Sequence, residues 1–309
     1  MDDSQEQRAA APQLEAPAES ASSRLGVAAR DPDELLIRPR RGWQLIDFRE
    51  LWRYRELLYV LVWRDVKVRY KQAALGAAWA VLQPLAAMIV FSLFFSRLAD
   101  GGPGDLPYPL FVFAGLLPWT FFAGAVSGAS QSIVGGQQLI TKVYFPRLLI
   151  PMAAAGHSLV DFAISCSLLG VLLIYYVIRG SAHLPGWGLL MLPVVVLVLF
   201  AAAIGVGTFL AALTTAYRDF RHVVPFMVQM WMFATPSIYL QASTELSSTW
   251  RALLPLNPVY GLIAAFRAAT LGVSLDWYSL TVSATVSLSL LLLGSLYFRR
   301  VERIFADVI

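Results

Sequence analysis

The sequence predicts an all-α integral membrane protein: six transmembrane helices, an N-terminal amphipathic interfacial helix and short re-entrant helices on the outer, periplasmic side. Three observations carry this. Hydrophobic residues fill 58% of the 309 positions and charged ones 14%, against about 45–50% and 25% in soluble domains. From Gln72 to Ser96 no residue is charged, and about 20 apolar helical residues cross a hydrocarbon core of about 30 Å. Just before that run stand Arg64, Lys67, Arg69 and Lys71 with a single acid, Asp65. Basic residues against one end of a span stay on the cytoplasmic side.

Taken in order, residues 1–46 form a cytoplasmic lead. The part up to residue 34 is rich in Ala, Ser, Pro, Glu and Gln, and too poor in large apolar groups to offset its ordering entropy, so disorder is expected. The first apolar run begins only after about 70 residues, which leaves no cleavable signal peptide. Residues 47–72 read as the amphipathic helix. Asp47 and Glu50 make a capping box. Phe48, Trp52, Tyr59, Val62 and Val66 recur at helical spacing, with Arg49, Arg53, Glu56, Arg64, Lys67 and Lys71 opposite. Such a helix lies in the membrane interface or packs on a cytoplasmic domain.

Residues 73–298 hold the spans, at 74–96, 108–134, 150–178, 189–215, 223–240 and 277–298, and 299–309 is a cytoplasmic tail. Gly101, Gly102, Pro103 and Gly104 mark the first outer loop as a turn. Residues 135–147 and 216–222 are basic inner loops. The stretch 241–276 returns outside, where Pro255, Pro258 and Gly261 cut its apolar run into pieces too short to cross, as re-entrant or interfacial helices are. Inner flanks hold fourteen Lys and Arg, outer segments only Arg97, Arg179, Arg251 and Arg267. That bias places both termini in the cytoplasm. The pI near 9.3 therefore reflects orientation and contact with membrane lipid rather than nucleic acid.

Charges inside spans are costly and mark candidate sites. His157 and Asp161, four residues apart in the third span, form either a proton relay or a polar pair that packs helices together. No metal-ligand spacing joins the three histidines. The single Cys166 excludes an internal disulfide. No GxxxxGK[ST] occurs, so the chain supplies no P-loop of its own. Two stripes combine aromatic and amide groups: Trp79, Gln83 and Phe94 in the first span, and Phe226, Gln229, Phe233 and Ser237 in the fifth. Amides are unfavourable against lipid, so these stripes should face protein or a cavity. Aromatic faces beside hydrogen-bonding groups suit sugar rings, and ordinary helix packing is the alternative.

RDVKVRYKQAALGAAWAVLQP, GLLPWTFFAGAVSGASQSIVGGQQLITKVYFPRLLIP, YRDFRHVVPFMVQMWMFATPSIY and LNPVYG together resemble the ABC-2 type permease subunits of polysaccharide exporters, those of O-antigen, capsule and teichoic acid. The resemblance covers about residues 45–309. It implies a non-enzymatic homodimer in the bacterial inner membrane, paired with two copies of a separate ABC ATPase. That partner would hold ATP and Mg, and this chain no cofactor or metal. The cargo would be a lipid-linked polysaccharide entering from the inner leaflet. By the same resemblance Lys142, Val143, Tyr144, Phe145, Pro146 and Arg147 form the loop that couples to the ATPase, assisted by Arg218 and Asp219. Tyr144 and Phe145 are expected to face the cytosol there, which makes sense only if the loop docks in a groove. The first and fifth spans would line the path. A neighbouring branch exports smaller amphipathic molecules. A proton-coupled carrier using His157 and Asp161, and a membrane enzyme acting on lipid-linked sugars, are the readings from other classes.

Overall fold

A computed structural model describes residues 48–71, 78–95, 106–142, 145–235 and 248–302. The chain divides into Met1–Gly42 and Trp43–Ile309, and every described residue lies in the second unit. The lead of residues 1–46 lies outside the described residues. Every regular element among those described is helical: α1 Phe48–Arg53, α2 Arg55–Lys71, α3 Ala78–Phe95, α4 Tyr108–Gly135, α5 Gln137–Lys142, α6 Leu149–Ile178, α7 Leu192–Ala216, α8 Phe220–Phe233, α9 Ser248–Leu253, α10 Pro258–Leu271 and α11 Trp277–Val301.

Helix α4 is the axis of the molecule. Leu110, Val112, Phe113, Ala114, Leu117 and Phe122 have no exposed surface, because α3, α6, α7, α8 and α10 all pack around them. Rings bind these layers. Phe121 lies 5.2 Å from Phe162 of α6, and Phe162 lies 5.7 Å from Phe266 of α10. Helices α7 and α11 pair through small residues: a methyl group on Gly294 would collide with the Gly205 carbonyl. Backbones that approach this closely associate by dispersion alone, without a water-driven force.

Among the described residues four helical segments are long and apolar enough to cross a membrane: Tyr108–Gly135, Leu149–Ile178, Trp187–Ala216 and Trp277–Val301. They coincide with the second, third, fourth and sixth expected spans. The described helices of the other two expected spans are shorter, and residues 74–77 and 96 of the first lie outside the described residues. Helix α3 covers 18 residues and α8 only 14, about 27 and 21 Å at 1.5 Å per residue. Residues 236–240, the end of the expected fifth span, lie outside the described residues.

The single interfacial helix expected over 47–72 is two helices, broken at Tyr54. The face assignment also differs. Leu61 and Val66 are buried, while Trp52 and Tyr59, expected on the same apolar face as Val66, are exposed. The cause is α6, which takes one side of α2 as its packing partner and leaves the aromatic residues outward.

A second apolar cluster closes one end of the bundle. Ile133, Phe145, Leu148, Leu149, Ala211, Ala212 and Phe298 form it, with Leu51, Tyr54, Leu57 and Leu58 packed on its rim. It gathers α1, α2, the end of α4, the start of α6, the end of α7 and the end of α11. These are the segments that carry the basic flanks, so the charge bias in the sequence is a spatial one. At the other end α9, a 3-10 turn at Leu254–Leu256 and α10 form a helix-break-helix. The Ser283 hydroxyl of α11 donates to the Pro255 carbonyl (2.9 Å) and accepts from the Gly261 N–H (3.0 Å). The break thus sits below the start of α11, and α10 climbs back to end at Gly272, whose φ of +71° is the left-handed cap glycine supplies.

Candidate functional site

His157 and Asp161 are not alone in their span. Arg69, near the end of α2, donates to His157 Nε2 at 3.0 Å and pairs with Asp161 Oδ2 at 3.1 Å. The neighbouring Tyr70 donates its hydroxyl to Asp161 Oδ1. Burial, reinforced by that carboxylate, pushes the Tyr70 hydroxyl up to about 12. A histidine that accepts from a guanidinium offers its lone pair, so Nε2 carries no proton in this arrangement. Both members of the pair therefore hold donors from α2, the kind of contact the helix-packing alternative calls for. No sequence pattern marks Arg69 and Tyr70 as partners, because 88 and 91 residues separate them from His157 and Asp161.

The expected coupling loop is divided by the structure. Lys142 ends α5 and is exposed, Val143 and Tyr144 lie outside the described residues, and Phe145 is only 4% exposed. The expectation that Phe145 faces the cytosol is corrected: its ring fills the second cluster between Ala211, Ala212 and Phe298. Pro146 and Arg147 are half-buried. Arg147 donates to the Glu302 carbonyl at 2.6 Å, and its backbone N–H to Glu302 Oε1 at 3.3 Å. This loop is thereby welded to the start of α6 and the end of α11.

Arg218 and Asp219 occupy an exposed turn between α7 and α8. Beside them opens a cleft of about 420 Å³, lined by Val134, Gln137, Thr214, Thr215, Arg218 and Arg221 among others. The two basic inner loops of the sequence thus border one depression. The ends of α4 and α7 both contribute to it because these helices run side by side to this end of the bundle.

The aromatic–amide stripes both lie on the surface. Trp79, Gln83 and Phe94 are exposed along α3, and Phe226, Gln229 and Phe233 along α8; Ser237 lies outside the described residues. Both helices pack on α4, α3 also on α6 and α8 also on α7. Among the described residues Phe94 is 69% exposed and Phe226 61%.

Sequence reasoning missed the group that fixes the outer end of α8. Asn257 Oδ1 accepts from Trp231 Nε1 (3.1 Å) and from the Val259 N–H (3.2 Å), while Nδ2 donates to Thr235 Oγ1 (2.9 Å). The available signal was Asn-Pro before an apolar helix, the pattern of an N-cap with Pro at the first helical position. Among the described residues no three His, Cys, Asp or Glu stand together as metal ligands.

A family model described as ABC-2 type transporter matches residues 56–271. An O-antigen export system permease protein RfbA from Myxococcus xanthus is 34% identical over 263 residues, covering 84% of this chain and 98% of the relative. A protein of the same description from Klebsiella pneumoniae is 26% identical, with 82% and 95% covered. The polysialic acid transport protein KpsM of Escherichia coli is 22% identical, with 74% and 89% covered.

Proposed function

We infer that this chain, which belongs to the ABC-2 type transporter family, is the membrane permease subunit of a polysaccharide exporter driven by a separate ABC ATPase. The observation that carries this is the match over 98% of the length of an O-antigen export permease. The proposed cargo is a lipid-linked glycan taken up from the cytoplasmic leaflet of the bacterial inner membrane. The proposed assembly is two copies of this chain with two ATPase subunits, which bind ATP and Mg.

In this reading α3 and α8 belong to the first and fifth of six crossings. Both termini are cytoplasmic, α1 and α2 lie along the inner membrane surface, and α9–α10 form re-entrant outer helices. The exposed Gln83 and Gln229 support a path between copies, since a primary amide toward hydrocarbon leaves its hydrogen bonds unmade. Trp79, Phe94, Phe226, Phe233 and Ser237 would complete that path. Stacking of sugar faces on such rings is worth about 0.5–1.5 kcal/mol each, weak enough for a polymer to slide.

The ATPase is placed at the basic end, against Lys142, Val143, Tyr144, Arg218 and Asp219. Phe145, Pro146 and Arg147 serve there as the rigid root that carries its motion into α6 and α11. The test is transport in inverted vesicles holding this chain and its ATPase. ATP-dependent uptake of lipid-linked polysaccharide, absent without the ATPase, is expected. Uptake driven by a proton gradient alone would refute the reading, and uptake only of small amphipathic molecules would move the chain to a different branch.

A further inference from the structure

Helix α6 carries a polar stripe, His157, Asp161 and Ser165, at intervals of four residues, which is one face of a helix. Together they hold three points on α2 and α3: Arg69, Tyr70 and Ala80. His157 and Asp161 take Arg69, Asp161 also takes Tyr70, and the Ser165 hydroxyl donates to the Ala80 carbonyl of α3 at 2.7 Å. One residue before His157, the close approach continues: a Cβ on Gly156 would stand 2.9 Å from Val62 Cγ2. Helix α2 therefore rests directly on α6 from Val62 to Tyr70.

The same helix is rooted at its N-terminal end. Leu148, Leu149 and Ile150 begin α6 inside the cluster that seals Phe145, and Arg147 ties that root to Glu302. A displacement of Phe145 and Arg147 passes directly to the start of α6, because close-packed clusters shift as units rather than deform.

We propose that Arg69 is a positioning residue for transport: its fork on His157 and Asp161 makes α2 and α3 follow α6, so that movement at the basic end becomes movement of α3. The proposal rests on the functional reading above, in which α3 lines the path. Arg69 is suited to the task because a planar guanidinium addresses two acceptors at once, which fixes direction as well as distance, whereas an ammonium acts as a point charge. The half-exposed position of Arg69 leaves its charge solvated, so the contact can be remade during a cycle without a large desolvation cost.

The test uses the full chain and two measurements. Spin labels on Leu93→Cys of α3 and Ile178→Cys of α6, both exposed, report the α3–α6 distance in nanodiscs without the ATPase. Polysaccharide exported per ATP hydrolysed is then measured in vesicles with it. With Arg69→Gln the distance distribution is expected to broaden. Export per ATP should fall by about tenfold, a typical magnitude for lost coupling between sites, while hydrolysis continues. Arg69→Lys, which retains the charge and is the variant to use if Arg69→Gln does not assemble, should show the same two changes to a smaller degree. Unchanged distances in the variant that assembles overturn the proposal, and so does a broadened distance with export per ATP unaltered. Wild-type vesicles that export nothing with ATP would count against the functional reading instead, and the spin-label result would still decide whether Arg69 ties α3 to α6.

Discussion

The Ser165 hydroxyl stands 2.7 Å from the Ala80 carbonyl and donates to it. Ala80 precedes Pro84 by four residues in α3, and proline has no N–H to offer the carbonyl one turn back. Ser165 supplies the donor that α3 lacks, where hydrocarbon offers no water in its place. Ser165→Ala should therefore cost about 1–3 kcal/mol, the range for a stranded buried acceptor, read as a loss of thermal stability in detergent. In a Pro84→Ala background the helix regains its own donor, and the same substitution should cost little. An equal penalty in both backgrounds would contradict this account.

Phe145 and Lys142 are three residues apart and should behave oppositely. Phe145 lies in the second cluster at 4% exposure, so Phe145→Ala should cost about 3–5 kcal/mol. Phe145→Asp should cost more, lowering the amount of folded protein in the membrane rather than uncoupling an intact transporter. Lys142 is exposed at the end of α5. Lys142→Glu should leave stability within about 0.5 kcal/mol and weaken co-purification of the ATPase. A well-folded Phe145→Asp variant would contradict the burial.

The long spans and their basic ends were legible because length, hydropathy and charge are properties of contiguous residues. Helix faces were less so. Periodicity over 48–66 identified an amphipathic stretch, but Tyr59 and Val66 parted company once α6 chose which side to cover. Phe145 was misread for a related reason: a ring beside basic residues looks exposed until Phe298 and Ala211, far along the chain, close over it. The His157–Asp161 pair was visible as an anomaly in an apolar run. Its partner Arg69 was not, since Arg69 reads equally well as one more basic flank.

Tyr70 makes a prediction at high pH. Its hydroxyl is raised from an ordinary value near 10 to about 12, chiefly by burial and then by its bond to Asp161. A group whose folded value exceeds its unfolded one adds stability that is complete below the unfolded value and lost as pH climbs through the folded one. The protein should thus lose stability between pH 10 and about 12, and Tyr70→Phe should flatten that part of the profile. Thermal unfolding at stepped pH measures both, and an unchanged slope in Tyr70→Phe would assign the loss elsewhere.

Asn257 joins three helices, two through its side chain and the third through its backbone carbonyl. Its oxygen takes Trp231 of α8 and caps α10 through the Val259 N–H, its nitrogen holds Thr235, and its backbone carbonyl lies 3.2 Å from the Ser283 hydroxyl of α11. Trp231 in turn meets Phe122 of α4 edge-on at 5.3 Å. Substitutions can separate these functions. Asn257→Asp keeps both acceptor contacts and loses the donor to Thr235 and the longer one to the Ala234 carbonyl (3.4 Å), so it should cost about 1 kcal/mol. Asn257→Ala loses the cap as well, which adds about 1 kcal/mol, and leaves the indole N–H without its acceptor. Trp231→Phe removes that donor while retaining a ring against Phe122. If Asn257 acts chiefly through α8, then Trp231→Phe and Asn257→Ala should be less than additive in a double-mutant cycle, because they break one shared bond. Strict additivity would mean that Asn257 works through the α10 cap alone, and that the outer end of α8 is held by Thr235 and its helix rather than by the Asn-Pro turn.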